Sequence, residues 1–104
     1  MMREERIKHV VLFKLNLESD ERDRHLARIK RELEELVGAI ESLLTLEVEI
    51  NINPQEQYDF MLTAIVEDMK QLEAYAQHPL HQKVVRELIA PHLLSRACVD
   101  VICK

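Results

Sequence analysis

The sequence predicts an α+β fold in which one four-stranded antiparallel sheet carries helices on a single face. Three observations lead there. Four segments have strand character, three have helical periodicity, and they follow one another as strand, helix, strand, strand, helix, helix, strand. That order is the split β-α-β unit of a ferredoxin-like fold.

Each element has its own signature. Ile7 to Leu15 alternates, with Ile7, His9, Val11, Phe13 and Leu15 on one side and Lys8, Val10, Leu12 and Lys14 on the other. Period two with β-branched residues marks a strand. Ser19 is the expected N-cap of a helix, with Asp20 and Glu21 in a first turn where the helix dipole favours acid. Leu26, Ile29, Leu33, Leu36 and Ile40 then recur at helical spacing, and Gly38 marks an end or bend. Leu44, Leu46, Val48, Ile50 and Ile52 alternate with polar residues, giving a strand wet on one side and ended by Asn53-Pro54. Tyr58 to Val66 reads as a third strand, largely buried on both faces.

Asp68 is placed to cap a short helix carrying Met69, Leu72 and Tyr75 inward. Pro79 disfavours helical geometry at His78, so the chain should turn there. A further helix with Leu80, Val84 and Leu88 on one face should end before Pro91, and Arg96 to Cys103 is the last strand.

Helices on one side leave the other side of the sheet showing Val10, Leu12, Met61, Ile65, Val99 and Val101. An apolar patch of that size is more than a monomer usually leaves wet. A second sheet packed face to face is the natural cover, so the expected assembly is a homodimer with a shared, barrel-like core.

Composition narrows the function classes. The 104 residues, at 12.2 kDa, fit a single domain spanning 1–104. A net charge of −5 provides no basic stripe for phosphates, and two Phe, two Tyr and no Trp leave few stacking platforms. No nucleic-acid partner is expected. The start, Met1 to Arg6, mixes charge signs, and His9 and Lys14 interrupt the apolar run behind it, so neither a secretion signal nor a membrane span is expected. Cys98 and Cys103 are five apart in one strand, roughly 16 Å when extended, which exceeds disulfide reach. Free thiols favour a reducing compartment, and the expected location is the cytoplasm.

The segment Tyr75-Ala76-Gln77-His78-Pro79-Leu80-His81 is the most specific stretch, with three polar rings at intervals of three. His9 lies on the helix-facing side of the first strand. Asp100 shares a strand face with Cys98, and the first and last strands of such a sheet are neighbours. Asp100 is therefore expected to bond His9 and fix its tautomer. The functional reading is a pocket between sheet and helices with a His acid or base and Tyr75 as hydroxyl donor. The structural reading is a satisfied core tyrosine beside a helix junction. His78 and His81 lack CxxC or HExxH spacing, so no metal is expected. There is no Gly-rich phosphate loop. His25 is expected to be solvated, and His92 to be a polar loop residue.

Three sequence features together resemble the stress-responsive A/B barrel domain (Dabb) family. They are Ile7-Lys8-His9-Val10-Val11-Leu12-Phe13-Lys14, the Y-x-x-H-P-x-H stretch from Tyr75 to His81, and Val99-Asp100. The resemblance spans nearly the whole chain and implies a dimeric α+β barrel. In a plant polyketide cyclase of that family, the Tyr and second His of the signature act on a linear polyketide. Those roles would fall here on Tyr75 and His81, with His9 and Asp100 as pocket partners and His78, Phe13, Phe60 and Leu72 against the ligand. Phe60 stands where the cyclase has a His, and the first helix has no Tyr. Some plant members hold magnesium at the end of the first helix, where Val37-Gly38-Ala39 offers carbonyls.

The resemblance thus implies cofactor-independent acid–base chemistry on a small, partly apolar carbonyl compound, of the cyclase, isomerase or lyase kind. The alternatives are a non-catalytic stress or interaction protein and a cofactor-free monooxygenase of the related dimeric-barrel type.

Overall fold

A computed structural model describes residues 5–104. The mixed-charge opening at residues 1–4 lies outside them. The elements are β1 (Ile7–Leu15), α1 (Arg22–Glu34), β2 (Thr45–Ile50), β3 (Phe60–Val66), α2 (Met69–Gln77), α3 (Pro79–Val84) and β4 (Leu93–Ile102). The strands form one antiparallel sheet in the order β2-β3-β1-β4, the ferredoxin-like arrangement. Its inner face carries Val11, Phe13, Leu46, Val48, Phe60, Leu62, Ala64 and Val66, all buried against Leu26, Ile29 and Leu33 of α1 and the helices that follow β3.

Edge strand β2 shows how α1 is fixed to the sheet. Its outward-facing Val48 N–H donates to Glu34 Oε2 at 2.9 Å, and Lys30 Nζ donates to the Val48 carbonyl at 2.6 Å. Lys30 also bonds Glu34 at 2.8 Å. Two side chains one helical turn apart thus satisfy both free backbone groups of an edge residue, which blunts that edge against further pairing.

Several boundaries differ from the sequence reading, each for a local reason. Ser19 does not cap α1. Residues 19–21 form a turn, the N-cap is Glu21, and no side chain bonds the first N–H groups. The helix ends at Glu34 rather than near Gly38, and Leu36 and Ile40 reach the core from a tight turn instead. Gly38 adopts φ +89°, which a residue with a Cβ rarely adopts. β2 stops at Ile50, leaving Ile52 95% exposed. β3 starts at Phe60, after Asp59 accepts from Leu15 N–H and Arg22 Nη2 at the end of the sheet. Only one face of β3 is buried, with Met61, Thr63 and Ile65 half-buried.

Met69, expected inward, is 56% exposed because it occupies the first position of α2. Leu80 is likewise exposed in the first turn of α3, while Val84 and Leu88 are buried. Asp68 does cap α2, its side chain accepting from Gln71 N–H at 2.9 Å. Beyond Val84 the helix widens over Val85–Ile89, where Ala90 N–H reaches back five residues to the Val85 carbonyl. A short, tight turn over Ala90–His92 leads into β4, which begins three residues earlier than its apolar pattern suggests. His25 is not solvated: its Nε2–H donates to the Leu88 carbonyl at 2.8 Å, and its ring meets His92 edge-on at 4.8 Å.

The opposite face of the sheet has no cover among the described residues. Val10, Leu12, Met61 and Ile65 are half-buried, while Val99 is 54% and Val101 42% exposed.

Candidate functional site

A cavity of about 570 Å³ opens between the inner face of β1 and β4 and the α2–α3 segment. Its floor is sheet and its roof is helix, and the wall is chiefly apolar, including Val11, Phe13, Leu62, Leu72, Val85 and Ile89. Size and lining match a small-molecule site. The widened turn after α3 contributes Val85, Ile89 and Ala90, in keeping with the tendency of such turns to lie at functional sites.

Sheet register places the first polar pair. His9 stands directly opposite Asp100 in the β1–β4 ladder, so both side chains leave the sheet on its inner side. His9 Nδ1 and Asp100 Oδ1 are 2.5 Å apart. A carboxylate can only accept, so Nδ1 carries the proton and Nε2 is left as an acceptor. Cys98, two residues before Asp100 on the same strand face, puts its Sγ 3.6 Å from His9 Nδ1 and 4.0 Å from Asp100 Oδ1.

The α2–α3 segment places the second pair. Tyr75 is 1% exposed and lines the cavity. Its hydroxyl is buried without a hydrogen-bond partner among the described residues, and burial raises its pKa far above the usual phenol range. The His81 ring lies 4.4 Å from the Tyr75 ring, and the His9 ring meets Tyr75 edge-on at 6.5 Å. His81 Nδ1–H donates to the Ala76 carbonyl at 3.0 Å, which leaves Nε2 as its free acceptor. Burial lowers the His81 pKa; His9, Arg96 and His78 add to the lowering, and the Ala76 bond opposes it. The imidazole is therefore neutral near pH 7.

Four of the residues singled out in the sequence thus gather at one cavity: His9, Tyr75, His81 and Asp100. Phe13 and Leu72 join its wall. Phe60 and His78 do not. Phe60 is stacked behind Phe13 at 4.8 Å, away from the opening. His78 breaks the helical path with extended ψ of 135°, and its Nδ1 accepts from Leu80 N–H at 3.1 Å to start α3. Three rings at intervals of three therefore do not share a face, because Pro79 forces the middle one out of the helix. Cys98 and Arg96 were not among the expected site residues, although both line the cavity. Their signal was available: Cys98 is two residues from Asp100, the strand period.

Magnesium at the end of α1 finds a poor fit. The donors offered there, at Val37, Gly38 and Ala39, are backbone carbonyls alone. No group of three His, Cys, Asp or Glu donors forms in that turn among the described residues, whereas a hard divalent cation usually takes one or two carboxylates.

One four-stranded antiparallel sheet with helices on a single face is the architecture of the ferredoxin-like α+β proteins. Residues 7–103 match the stress responsive A/B barrel domain, and the chain belongs to that family. An uncharacterised protein of Streptomyces coelicolor is 40% identical over 79 residues, covering 73% of this chain and 79% of that one. A dimeric protein of ferredoxin-like fold from Bacteroides fragilis superimposes with a TM-score of 0.88 at 31% identity, covering 94% of this chain and 96% of its own. The hydroxynitrile lyase of Passiflora edulis shares the fold, with a TM-score of 0.77 at 10% identity over 98% of this chain and 96% of that one.

Proposed function

We propose that this protein is a homodimer whose cavities each bind a small, partly apolar carbonyl compound and act on it by cofactor-independent acid–base chemistry. The observation that carries the reading is Tyr75, which lines an apolar cavity beside a neutral His81 and has a buried hydroxyl without a partner among the described residues. Such a hydroxyl is costly in a finished core and useful as a donor to a ligand oxygen.

The geometry supports a division of roles. The Tyr75 hydroxyl donates a hydrogen bond to the carbonyl oxygen of the ligand. It keeps its own proton, since burial disfavours the phenolate. His81 Nε2 takes a proton from the adjacent carbon or hydroxyl, and the resulting imidazolium returns it to the product. Asp100 holds His9 in one tautomer, so that His9 Nε2 offers a second acceptor on the sheet side. Cyclisation, isomerisation and lyase reactions of carbonyl compounds all need such a base and a polarising donor. The lyase of the same fold supports only the compatibility of the scaffold with such chemistry. Two unpaired cysteines fit a cytoplasmic setting. No helix among the described residues is long and apolar enough to cross a membrane.

Dimerisation rests on the uncovered sheet face. Covering several hundred Å² of apolar surface at about 25 cal/mol per Å² is worth on the order of ten kcal/mol before association costs. The dimeric Bacteroides fragilis protein supports the same assembly.

The chemistry is tested without a known substrate by following α-proton exchange of a panel of aldehydes and β-diketones in D2O. The wild type should accelerate exchange for at least one of them, and His81→Ala and Tyr75→Phe should each lose about 100-fold or more. Variants that exchange as fast as the wild type would refute the assignment. Light scattering tests the assembly. Twice the chain mass is expected for the wild type, with a shift toward single chains in Val99→Glu; a wild type at single-chain mass would overturn it.

A further inference from the structure

We infer that His9, Cys98 and Asp100 form a binding site for a borderline-soft divalent ion of the Zn2+ type, opening into the cavity. The three side chains supply one nitrogen, one sulfur and one oxygen, and these atoms all lie within 4.8 Å of one another. No other such trio of His, Cys, Asp or Glu occurs among the described residues. The site does not rest on the acid–base reading and replaces part of it: with an ion on Nδ1, His9 Nε2 carries the proton and is no longer an acceptor. It follows from the β1–β4 register, which sets His9 opposite Asp100, and from the strand period, which puts Cys98 on the same face.

The separations approach those a tetrahedral ion needs. Zinc–ligand bonds of about 2.0–2.3 Å imply edges of about 3.4–3.6 Å between ligand atoms. The Cys98 Sγ to His9 Nδ1 distance is 3.6 Å, and Sγ to Asp100 Oδ1 is 4.0 Å. The His9–Asp100 edge is 2.5 Å because a proton now holds it, and it opens by under 1 Å when an ion replaces that proton. β1 is central in the sheet and β4 is its edge partner, but all three donors lie within the unbroken part of the β1–β4 register, so they need only side-chain movement.

Donor chemistry selects the ion. One thiolate, one imidazole and one carboxylate suit zinc or cobalt, whereas magnesium and calcium prefer oxygen alone. Three protein ligands leave a fourth position facing the cavity, the pattern of an open rather than a closed zinc site. Tyr75 lines the same cavity, and its buried hydroxyl has no partner among the described residues. The exchange is balanced. From the neutral imidazole, the Nδ1 proton is lost and Nε2 gains one, the Cys98 thiol loses its proton, and one proton per ion is released to solvent. Histidines 78 and 81, the pair weighed from spacing, are not part of the site.

Cobalt(II) titration of the reduced full-length protein tests this directly. One ion per chain should bind with tetrahedral d–d bands and a thiolate-to-cobalt charge-transfer band, and Zn2+ should displace it. Cys98→Ser should abolish the charge-transfer band, Asp100→Asn should weaken binding at least tenfold, and Cys103→Ser should leave both unchanged. Circular dichroism checks that each variant folds. Should Cys98→Ser not fold, Asp100→Asn and the cysteine control still decide the matter. A spectrum resembling cobalt in water, a band lost in Cys103→Ser but kept in Cys98→Ser, or one ion shared by two chains would each overturn the assignment.

Discussion

Replacing Tyr75 by Phe should make the protein more stable while removing the group proposed to bind substrate. The ring is 1% exposed and packs against His81, and phenylalanine keeps that volume. What changes is one oxygen without a partner among the described residues. A buried, unsatisfied polar group costs about 1–3 kcal/mol. Taking the lower part of that range, the expected gain is about 1 kcal/mol. For a domain of this size that corresponds to a rise in Tm of about 4–8 °C. Chemical denaturation should move the midpoint upward with the slope unchanged. Both measurements need equal chain concentration and a chelator, because dimerisation and metal binding shift apparent stability by mass action. An ordinary core tyrosine whose hydroxyl is bonded behaves oppositely, losing about 1 kcal/mol on the same change. A fall in Tm of several degrees would show that the fold itself employs the hydroxyl, and the argument for a ligand-facing donor would fail.

Two further predictions concern protons. His81 should titrate below its ordinary 6.5 in NMR, since burial first, and then the nearby Arg96 and histidines, disfavour the charged ring. Its folded pKa is depressed, so its contribution to stability is complete above 6.5 and is lost as pH falls below that value; a midpoint above 6.5 would refute the neutral-base role. For Glu34, burial pushes the carboxyl up, but the bonds from Lys30 and Val48 N–H outweigh it and leave the pKa below 4.5. Its contribution is therefore complete above 4.5 and lost as pH falls through the lower folded value. Glu34→Gln should flatten acid denaturation in that window, by less than about 1 kcal/mol given the exposure and screening of the pair. An unchanged acid limb would show that the edge clamp contributes nothing.

The fold was largely legible because each long element carries a period that no alternative satisfies. Ile7–Leu15 cannot be helical without scattering its apolar residues around the axis, and Leu26, Ile29 and Leu33 cannot share one side of a strand. Boundaries were less legible where competing contacts decide them. Ser19 has the chemistry of a cap, yet the chain turns first and begins its helix at Arg22, whose guanidinium bonds Asp59 across the sheet end. Met69 and Leu80 have core chemistry but occupy the first turns of short helices, where side chains clear the sheet.

The site was legible in halves. Tyr75 and His81 follow from a local motif, and the His9–Asp100 pair follows from knowing which strands are neighbours. Their distance from Cys98 does not follow from either, because it needs the register between two strands about ninety residues apart. A shift of one residue would leave the alternation of β4 intact and turn Cys98 and Asp100 to the outer face, beside Val10 and Leu12.

That dependence links the two faces of the sheet. The register that brings Asp100 to His9 is the same one that aligns Val99 with Val10 and Val101 with Lys8 on the outer side. An error in it would bury a carboxylate between two sheets and expose valines to the cavity. Burying a carboxylate without a partner is costly, so covering the outer face penalises the wrong register strongly. In this way the apolar face proposed to join two copies also protects the geometry of the cavity on the opposite side, although no residue of that face touches the cavity. Substitutions such as Val99→Glu should therefore weaken the cavity as well as the dimer, and cobalt affinity at His9, Cys98 and Asp100 is the readout that would show the coupling. Unchanged affinity in a monomeric Val99→Glu protein would mean that β1–β4 pairing alone holds the register.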